Sequence, residues 1–362
     1  MSTSAFAPPG TPEHALASWV KTEGGFVGDV AVETRDGVRG LYTTKDVPTG
    51  TLLLSVPEAC CIAADEDPQW GLSLRELTTA RLVGSRTRGE HEPYIATLPS
   101  DEPLLCDWSD AELAELQSPR LADDARGMLP FLDESTARIL PWTKGTEDDV
   151  RWAERMVRSR AILCESGFNS LGDLDSPAMM ALVPLVDLAN HRTPDLGEVE
   201  PVGLDPSARA VTLAAPRDLK EGDEVTICYR YEGNEKLLLD YGFAEALNGQ
   251  PCYEEINLGD EQLILDSTIA DTCALDDLGA ARFRELLQAS LAAAPTTLAE
   301  DRAMLSESTT LEVGYGEWRV ESVRLFHALT YRIGQKALMT KMLEALESDD
   351  PAAALETIRL PR

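Results

Sequence analysis

ALVPLVDLANHR, residues 181–192, begins as one of the most apolar stretches of the chain and ends in a carboxylate, an amide and an imidazole. It also carries a proline, Pro184, which cannot donate a backbone hydrogen bond inside a sheet. A buried polar group left without a partner costs roughly 1–3 kcal/mol. Asp187, Asn190 and His191 therefore need partners from elsewhere in the chain, and finding them decides the fold.

Upstream, TEDDVRWAERMVRSRAILCE (146–165) reads as an amphipathic helix. Thr146 with Asp149 three residues on forms a capping box, and the acidic first turn suits the helix dipole. Trp152, Met156 and Arg160 fall at i, i+4 and i+8, so Arg160 extends an apolar stripe toward the core. A guanidinium cannot be neutralised there and needs an anion. Asp187 in an internal ion pair, a side chain reaching solvent, or a ligand-holding role for Arg160 all satisfy that demand.

Downstream, TICYRYEGNEKLLLDYGFAE (226–245) sets Tyr229 at a strand end, then a polar turn and a helix whose C-cap is Gly242. Tyr229, Tyr231 and Tyr241 cluster near this strand end, where tyrosine ordinarily fills the core with its hydroxyl outward. Further out, a turn device occurs twice between apolar runs: Lys45, Asp46, Val47 and Gly50, then Arg217, Asp218, Leu219 and Gly222. Two distant copies imply one β-rich module interrupted by an insertion. The insertion, 62–180, is helical by pattern, and helical periodicity returns after residue 250. The expected organisation is a disordered start (1–15), a first β segment (16–61), the insertion, a second β segment (181–250) and a helical C-terminal lobe (251–362).

Composition excludes several classes. With 63 acidic and 32 basic residues the formal charge is −31, which disfavours nucleic acid and leaves two readings: solubility, or attraction of a cationic protein segment. Cys60, Cys61, Cys106, Cys164, Cys228, Cys252 and Cys273 form no CxxC pair, and with four histidines no metal site is expected. No apolar run reaches the roughly 18 residues of a membrane span, and the start lacks a signal-like core. The expectation is a soluble monomer in a reducing compartment, cytoplasmic, with nucleus or plastid as alternatives.

GLYTTKDVPTGTLLLSVP, YIATLPSDEPLLCDW, RWAERMVRSRA, LVPLVDLANH, RDLKEGDEVTICY and NEKLLLDYGF, in that order, resemble the SET-domain methyltransferases, and within them the Rubisco large-subunit methyltransferase branch that modifies non-histone proteins. The resemblance implies an α+β fold: small β-sheets with a pseudoknot, a helical insertion and a C-terminal helical lobe, here shortened. It implies S-adenosyl-L-methionine as methyl donor and a lysine in a protein, on a basic surface, as acceptor. Tyr229 matches the catalytic tyrosine. Gly37, Val38, Arg39, Gly40 and Leu41 match a glycine-containing loop along the cofactor. Arg160, Asn190 and His191 match cofactor contacts, the His mainly through its backbone toward the adenine, while Phe243 faces the adenine and Asp187 braces the knot. Arg160, Ile162, Tyr229 and Tyr241 match the lysine channel.

Two positions depart from the pattern: Arg230 stands where glycine usually follows the tyrosine, and Val38 replaces a commoner glycine. The actin-histidine branch carries an amide where this chain has Ile162, and an apolar wall suits a lysine better. A non-catalytic peptide-binding module of the same fold is the other rival. The segment GGFVGD lacks the strand-then-GxGxxG context of a Rossmann-type methyltransferase.

Overall fold

The two copies of the turn device lie side by side, and their shared residues explain why. β3 (Val38–Thr43) and β4 (Leu52–Pro57) flank the first turn; β10 (Ala210–Ala214) and β11 (Glu224–Ile227) flank the second. β4 pairs antiparallel with β10, β3 pairs antiparallel with β11, and Val47 bridges Leu219 between the turns. Each aspartate reaches into the other copy. Asp218 accepts from the Thr49 amide at 2.8 Å and its hydroxyl at 2.9 Å, while Asp46 accepts from the Lys220 ammonium at 2.8 Å and the Glu221 amide at 3.0 Å. Val47 and Leu219 are buried beneath them.

The computed structural model describes residues 6–35, 37–65, 71–164, 178–195, 197–229, 233–246, 255–258, 261–264, 280–312 and 320–348. The chain forms two compact units, one from 1–102 and 130–229, the other from 103–129 and 230–362. In the first unit, β1 (Phe26–Val27) and β9 (Val202–Asp205) complete a sheet of order β1-β4-β10-β9. With β2 (Val30–Arg35) and β8 (Asn190–His191), a second sheet runs β2-β3-β11-β8. Its last pair, β8 with β11, is parallel: Asn190 faces Thr226 and His191 faces Ile227.

The helices of this unit follow their caps. α1 (Pro12–Thr22) starts at Thr11, whose hydroxyl accepts from the His14 amide at 3.2 Å, and buries Leu16, Ala17 and Val20. α2 (Leu74–Arg88) has the Ser73–Glu76 capping box, and the single turn α3 (Glu92–Ile95) buries Tyr94. α6 (Glu147–Arg160) has the expected Thr146–Asp149 box, with Asp149 Oδ2 accepting from the Thr146 amide at 2.9 Å. Leu41, Leu53, Leu54, Leu82, Tyr94 and Met156 are among the fully buried core residues of this unit.

Two expectations need correcting. The start is not disordered as far as residue 15: Phe6 and Ala7 are buried, and the Val32 amide donates to the Phe6 carbonyl at 2.8 Å, so an apolar side chain and a free edge of β2 order the segment. Residues 1–5 lie outside the described set. The insertion is not helical alone, for β5 (Ile62–Asp65), β6 (Ile162–Cys164) and β7 (Met179–Leu182) form a sheet of order β5-β7-β6. Strands this short carry too little periodicity to be read from sequence.

The second unit is mainly helical. α4 (Asp110–Ala114), the first half of α5 (Pro119–Ile139), α7 (Asn234–Tyr241), α8 (Ala280–Ala293), α9 (Leu298–Glu312) and α10 (Val320–Leu346) accompany a hairpin of β12 (Glu255–Leu258) and β13 (Glu261–Ile264). An ion cluster fixes α9 to α10: Asp301, wholly buried, lies 2.9 Å from Arg332 Nε and 2.6 Å from Lys336 Nζ. Lys336 also donates to the Gln117 side chain at 2.8 Å and the Thr296 carbonyl at 2.7 Å. Replacing one member of a buried ion cluster strands the others, so Asp301→Ala is expected to cost about 3–5 kcal/mol in urea denaturation. A loss below about 1 kcal/mol contradicts this role.

Candidate active site

The polar residues of the 181–192 segment find their partners in the first unit. Pro184 falls in a turn after β7, not in a strand, and needs no donor there. Leu185 follows at φ 70°, a conformation a bulky side chain rarely adopts, and is fully buried. A 3₁₀ turn, Val186–Leu188, then leads into β8.

Asp187 is the anchor of that turn. Its side chain is only 2% exposed; Oδ2 accepts from the Tyr94 hydroxyl at 2.9 Å and lies 3.9 Å from Arg160 Nη1. Arg160 donates to the Asp187 carbonyl at 3.3 Å and to Glu102 Oε2 at 2.8 Å. Burial pushes the Asp187 carboxyl above the usual carboxylate range, with Arg160 and Tyr94 only partly opposing it. Burial likewise pulls the Arg160 guanidinium down, but Asp187 and Glu102 together outweigh it and the net shift is upward. For Asp187 the opposing charges of Arg160 and Arg39 and the Tyr94 hydrogen bond do not offset burial.

Asn190 crosses the sheet. Its Nδ2 donates to Glu224 Oε1 at 2.7 Å and to the Arg39 carbonyl at 3.1 Å, while its Oδ1 makes no hydrogen bond with the described residues. The crossing uses the space over the bare α-carbon of Gly40, where a Cβ would stand 2.6 Å from Glu224 Oε1 and 2.8 Å from Asn190 Nδ2. Arg39 is held by Glu13 at 2.9 Å and by the Thr97 carbonyl at 3.2 Å.

His191 and Tyr229 form the other half. The Tyr229 amide donates to His191 Nδ1 at 3.0 Å, which puts the ring proton on Nε2. The two rings are 5.3 Å apart, and the Tyr229 hydroxyl donates to the Ala189 carbonyl at 3.0 Å. Gly40, Asn190, His191 and Tyr229 thus converge where β3, β11 and β8 meet. A hydroxyl, an amide and a bare backbone can align an amine and a charged donor; among the described residues no group of His, Cys, Asp and Glu could hold a metal ion.

A family model described as the SET domain matches residues 38–230, more than half of the chain. The chain belongs to the SET-domain family. The α+β architecture expected from the sequence is the one found: a solved structure of the SET domain of LSMT bound to lysine and AdoHcy superposes with a TM-score of 0.64 at 20% identity, over 94% of this chain and 92% of that one. Among curated relatives, the chloroplastic [fructose-bisphosphate aldolase]-lysine N-methyltransferase of Arabidopsis thaliana is 27% identical over 63% of this chain and 51% of its own length. An actin-histidine N-methyltransferase of Canis lupus familiaris is 25% identical over 63% of this chain and 42% of its own. The SET-domain chain thus spans about half the length of these relatives.

The remaining expected residues take definite places. Val38–Leu41 belong to strand β3, and only Gly37 lies in the preceding turn, so the expected loop is mostly a strand, with Val38 exposed and Leu41 buried. Ile162 begins β6 and packs against the core of the first unit. Tyr241 and Phe243 belong to the second unit, with ring centroids 6.0 Å apart. There Gly242 adopts φ 77°, the expected C-cap, and a Cβ on it would stand 2.7 Å from the Pro103 carbonyl. The Ala244 amide donates to His327 Nδ1 at 3.2 Å, and burial lowers the His327 pKa to about 4. Arg230, Tyr231, Cys252 and Cys273 lie outside the described residues.

Sequence reading missed Tyr94, Glu102 and Glu224, which complete the contacts of Asp187, Arg160 and Asn190. Arg160→Ala should cost about 3–5 kcal/mol at pH 7, because it leaves the buried Asp187 carboxyl without its nearest cation. Arg160 holds the Asp187 pKa down, so its loss raises that pKa above the parent's; the carboxyl with the higher folded pKa gains more stability on protonation, and the deficit against the parent should narrow as the pH falls. Urea denaturation at pH 7 and pH 5 checks both; a deficit that does not change with pH contradicts the pairing.

Proposed function

We propose that this protein is an S-adenosyl-L-methionine-dependent protein-lysine N-methyltransferase acting on a non-histone protein. The observation that carries the reading is the convergence of Tyr229, Asn190 and Gly40, three positions that match the family's site, on one sheet corner. The residues fit the cofactor: Asn190 Oδ1 is an acceptor with no hydrogen bond to the described residues, and its Nδ2 is held by Glu224 and the Arg39 carbonyl. Asn190 and the Arg39–Leu41 strand would hold it. When bound, the cofactor supplies an electrophilic methyl group on a sulfonium.

The chain's own residues have a limited task. Because its proton goes to the Ala189 carbonyl, the Tyr229 hydroxyl meets an incoming amine as an acceptor. An amine N–H donated to that oxygen leaves the nitrogen lone pair for in-line attack, and alignment of this kind is the main demand of methyl transfer. His191, through the Tyr229 amide, fixes the backbone that carries the hydroxyl. A free lysine has a pKa near 10.4, and apolar walls favour its neutral, nucleophilic form.

Methylation of a protein histidine is the second reading, since relatives named for it match this chain at a similar level. Ile162 favours lysine: its apolar side chain offers an imidazole no polar partner. Retention of Tyr229, Asn190, His191 and Arg160 together disfavours a non-catalytic module. The reading includes a basic docking surface on the target, from the formal charge of −31, and a cytoplasmic location.

Tyr229→Phe should lower kcat by about 10²-fold or more while cofactor affinity by calorimetry changes little, because only the oriented oxygen is lost. Near-parental turnover in that variant would make Tyr229 a wall residue. The substrate KM should rise between 0.1 M and 1 M salt, as the Debye length falls from about 10 Å to about 3 Å, with a smaller change in cofactor Kd. A flat KM assigns the acidity to solubility alone.

A further inference from the structure

Glu224 heads β11 and points its carboxylate at the side-chain amide of Asn190. An amide has two faces of opposite character, an oxygen that accepts and a nitrogen that donates, and of similar size. Nothing in the shape of asparagine decides which is offered to a ligand. The neighbours decide it.

Both hydrogens of Asn190 Nδ2 are taken, one by Glu224 Oε1 at 2.7 Å and one by the Arg39 carbonyl at 3.1 Å. Each partner is an acceptor that cannot donate: a carboxylate has no proton to give, and a backbone carbonyl never does. Rotating the amide by half a turn would set Oδ1 against two oxygens and lose both bonds. A hydroxyl or a second amide at position 224 could serve either orientation and would fix neither. The carboxylate also makes the bond charge-assisted, one of the stronger kinds available to a side chain. Gly40 permits the arrangement, since a Cβ would press on both Glu224 Oε1 and Asn190 Nδ2.

We infer that Glu224 is a positioning residue: together with the Arg39 carbonyl it locks Asn190 with its oxygen outward, so that the site accepts a ligand ammonium and discriminates for it. This rests on the cofactor reading above: of the groups S-adenosylmethionine carries, the α-ammonium is the one that can donate to an outward-facing Asn190 Oδ1 under a positive charge. Glu224 itself touches no reacting atom. Its effect is carried entirely by which atom of Asn190 the ligand meets.

The consequence is selective for one part of the ligand. S-adenosylhomocysteine carries the α-ammonium, whereas 5′-methylthioadenosine keeps the nucleoside and sulfur and lacks it. Calorimetric titration of the full chain with both ligands separates positioning from general damage. Glu224→Ala should weaken S-adenosylhomocysteine about tenfold or more, the scale of one hydrogen bond to a charged group, and change 5′-methylthioadenosine by less than about twofold. Glu224→Gln keeps the volume and one acceptor oxygen, so it should fall between parent and Glu224→Ala for the first ligand; it also answers the question should Glu224→Ala not fold. Equal weakening of both ligands, or no change in either with either variant, overturns the inference. If the parent protein binds neither ligand, the cofactor reading itself fails and the inference with it, an outcome distinguishable because no variant is needed to see it.

Discussion

One carboxylate, Asp187, sits almost entirely out of water, and the site is arranged around meeting its needs. Tyr94 gives it a hydrogen bond and Arg160 a positive charge, while Arg160 is itself steadied by Glu102. Those contacts fix the 3₁₀ turn that begins at the strained Leu185 and so fix where the next residues go. Strain at a buried, bulky residue persists only where its surroundings over-determine it. Two residues past the end of the turn, at Asn190, the chain enters the parallel pairing with β11, where a two-residue strand could not hold itself in place by ladder bonds alone. Asn190 then meets Gly40, and His191 meets Tyr229.

The arrangement divides labour between two kinds of constraint. Burial and charge hold the segment from behind, at Asp187 and Arg160. Hydrogen-bond direction sets what the segment presents in front, at Asn190 and Tyr229. In both front residues the direction is forced by partners that can only accept: the Glu224 carboxylate and Arg39 carbonyl for the amide, the Ala189 carbonyl for the hydroxyl. A site with few groups can be selective when each has one orientation open to it.

Features set by near neighbours were legible in the sequence. The Thr146–Asp149 capping box, the Gly242 C-cap and the paired turn devices depend on residues a few positions apart, and all three are present. The need of Arg160 for an anion was legible because a guanidinium is costly to bury alone, and Asp187 was one of the partners open to it. Tyr94, Glu102 and Glu224 were not legible as their partners: a surface-type glutamate in DEP or GDEV looks the same whether it is solvated or reaches a distant amide. The order of residues 6–11 was hidden for a related reason. Their proline-rich text signals a loop, and only the free edge of β2 and the pocket for Phe6 make that loop a fixed one.

The chemistry that this geometry supports is narrow enough to be tested at the atom it modifies. Incubating the purified protein with S-adenosylmethionine labelled in its methyl group and a protein extract rich in basic targets, followed by mass spectrometry of the labelled peptides, locates the transferred methyl. The account predicts label on the side-chain nitrogen of lysine, lost with Tyr229→Phe. Label on histidine, or lysine labelling that survives Tyr229→Phe, would contradict it.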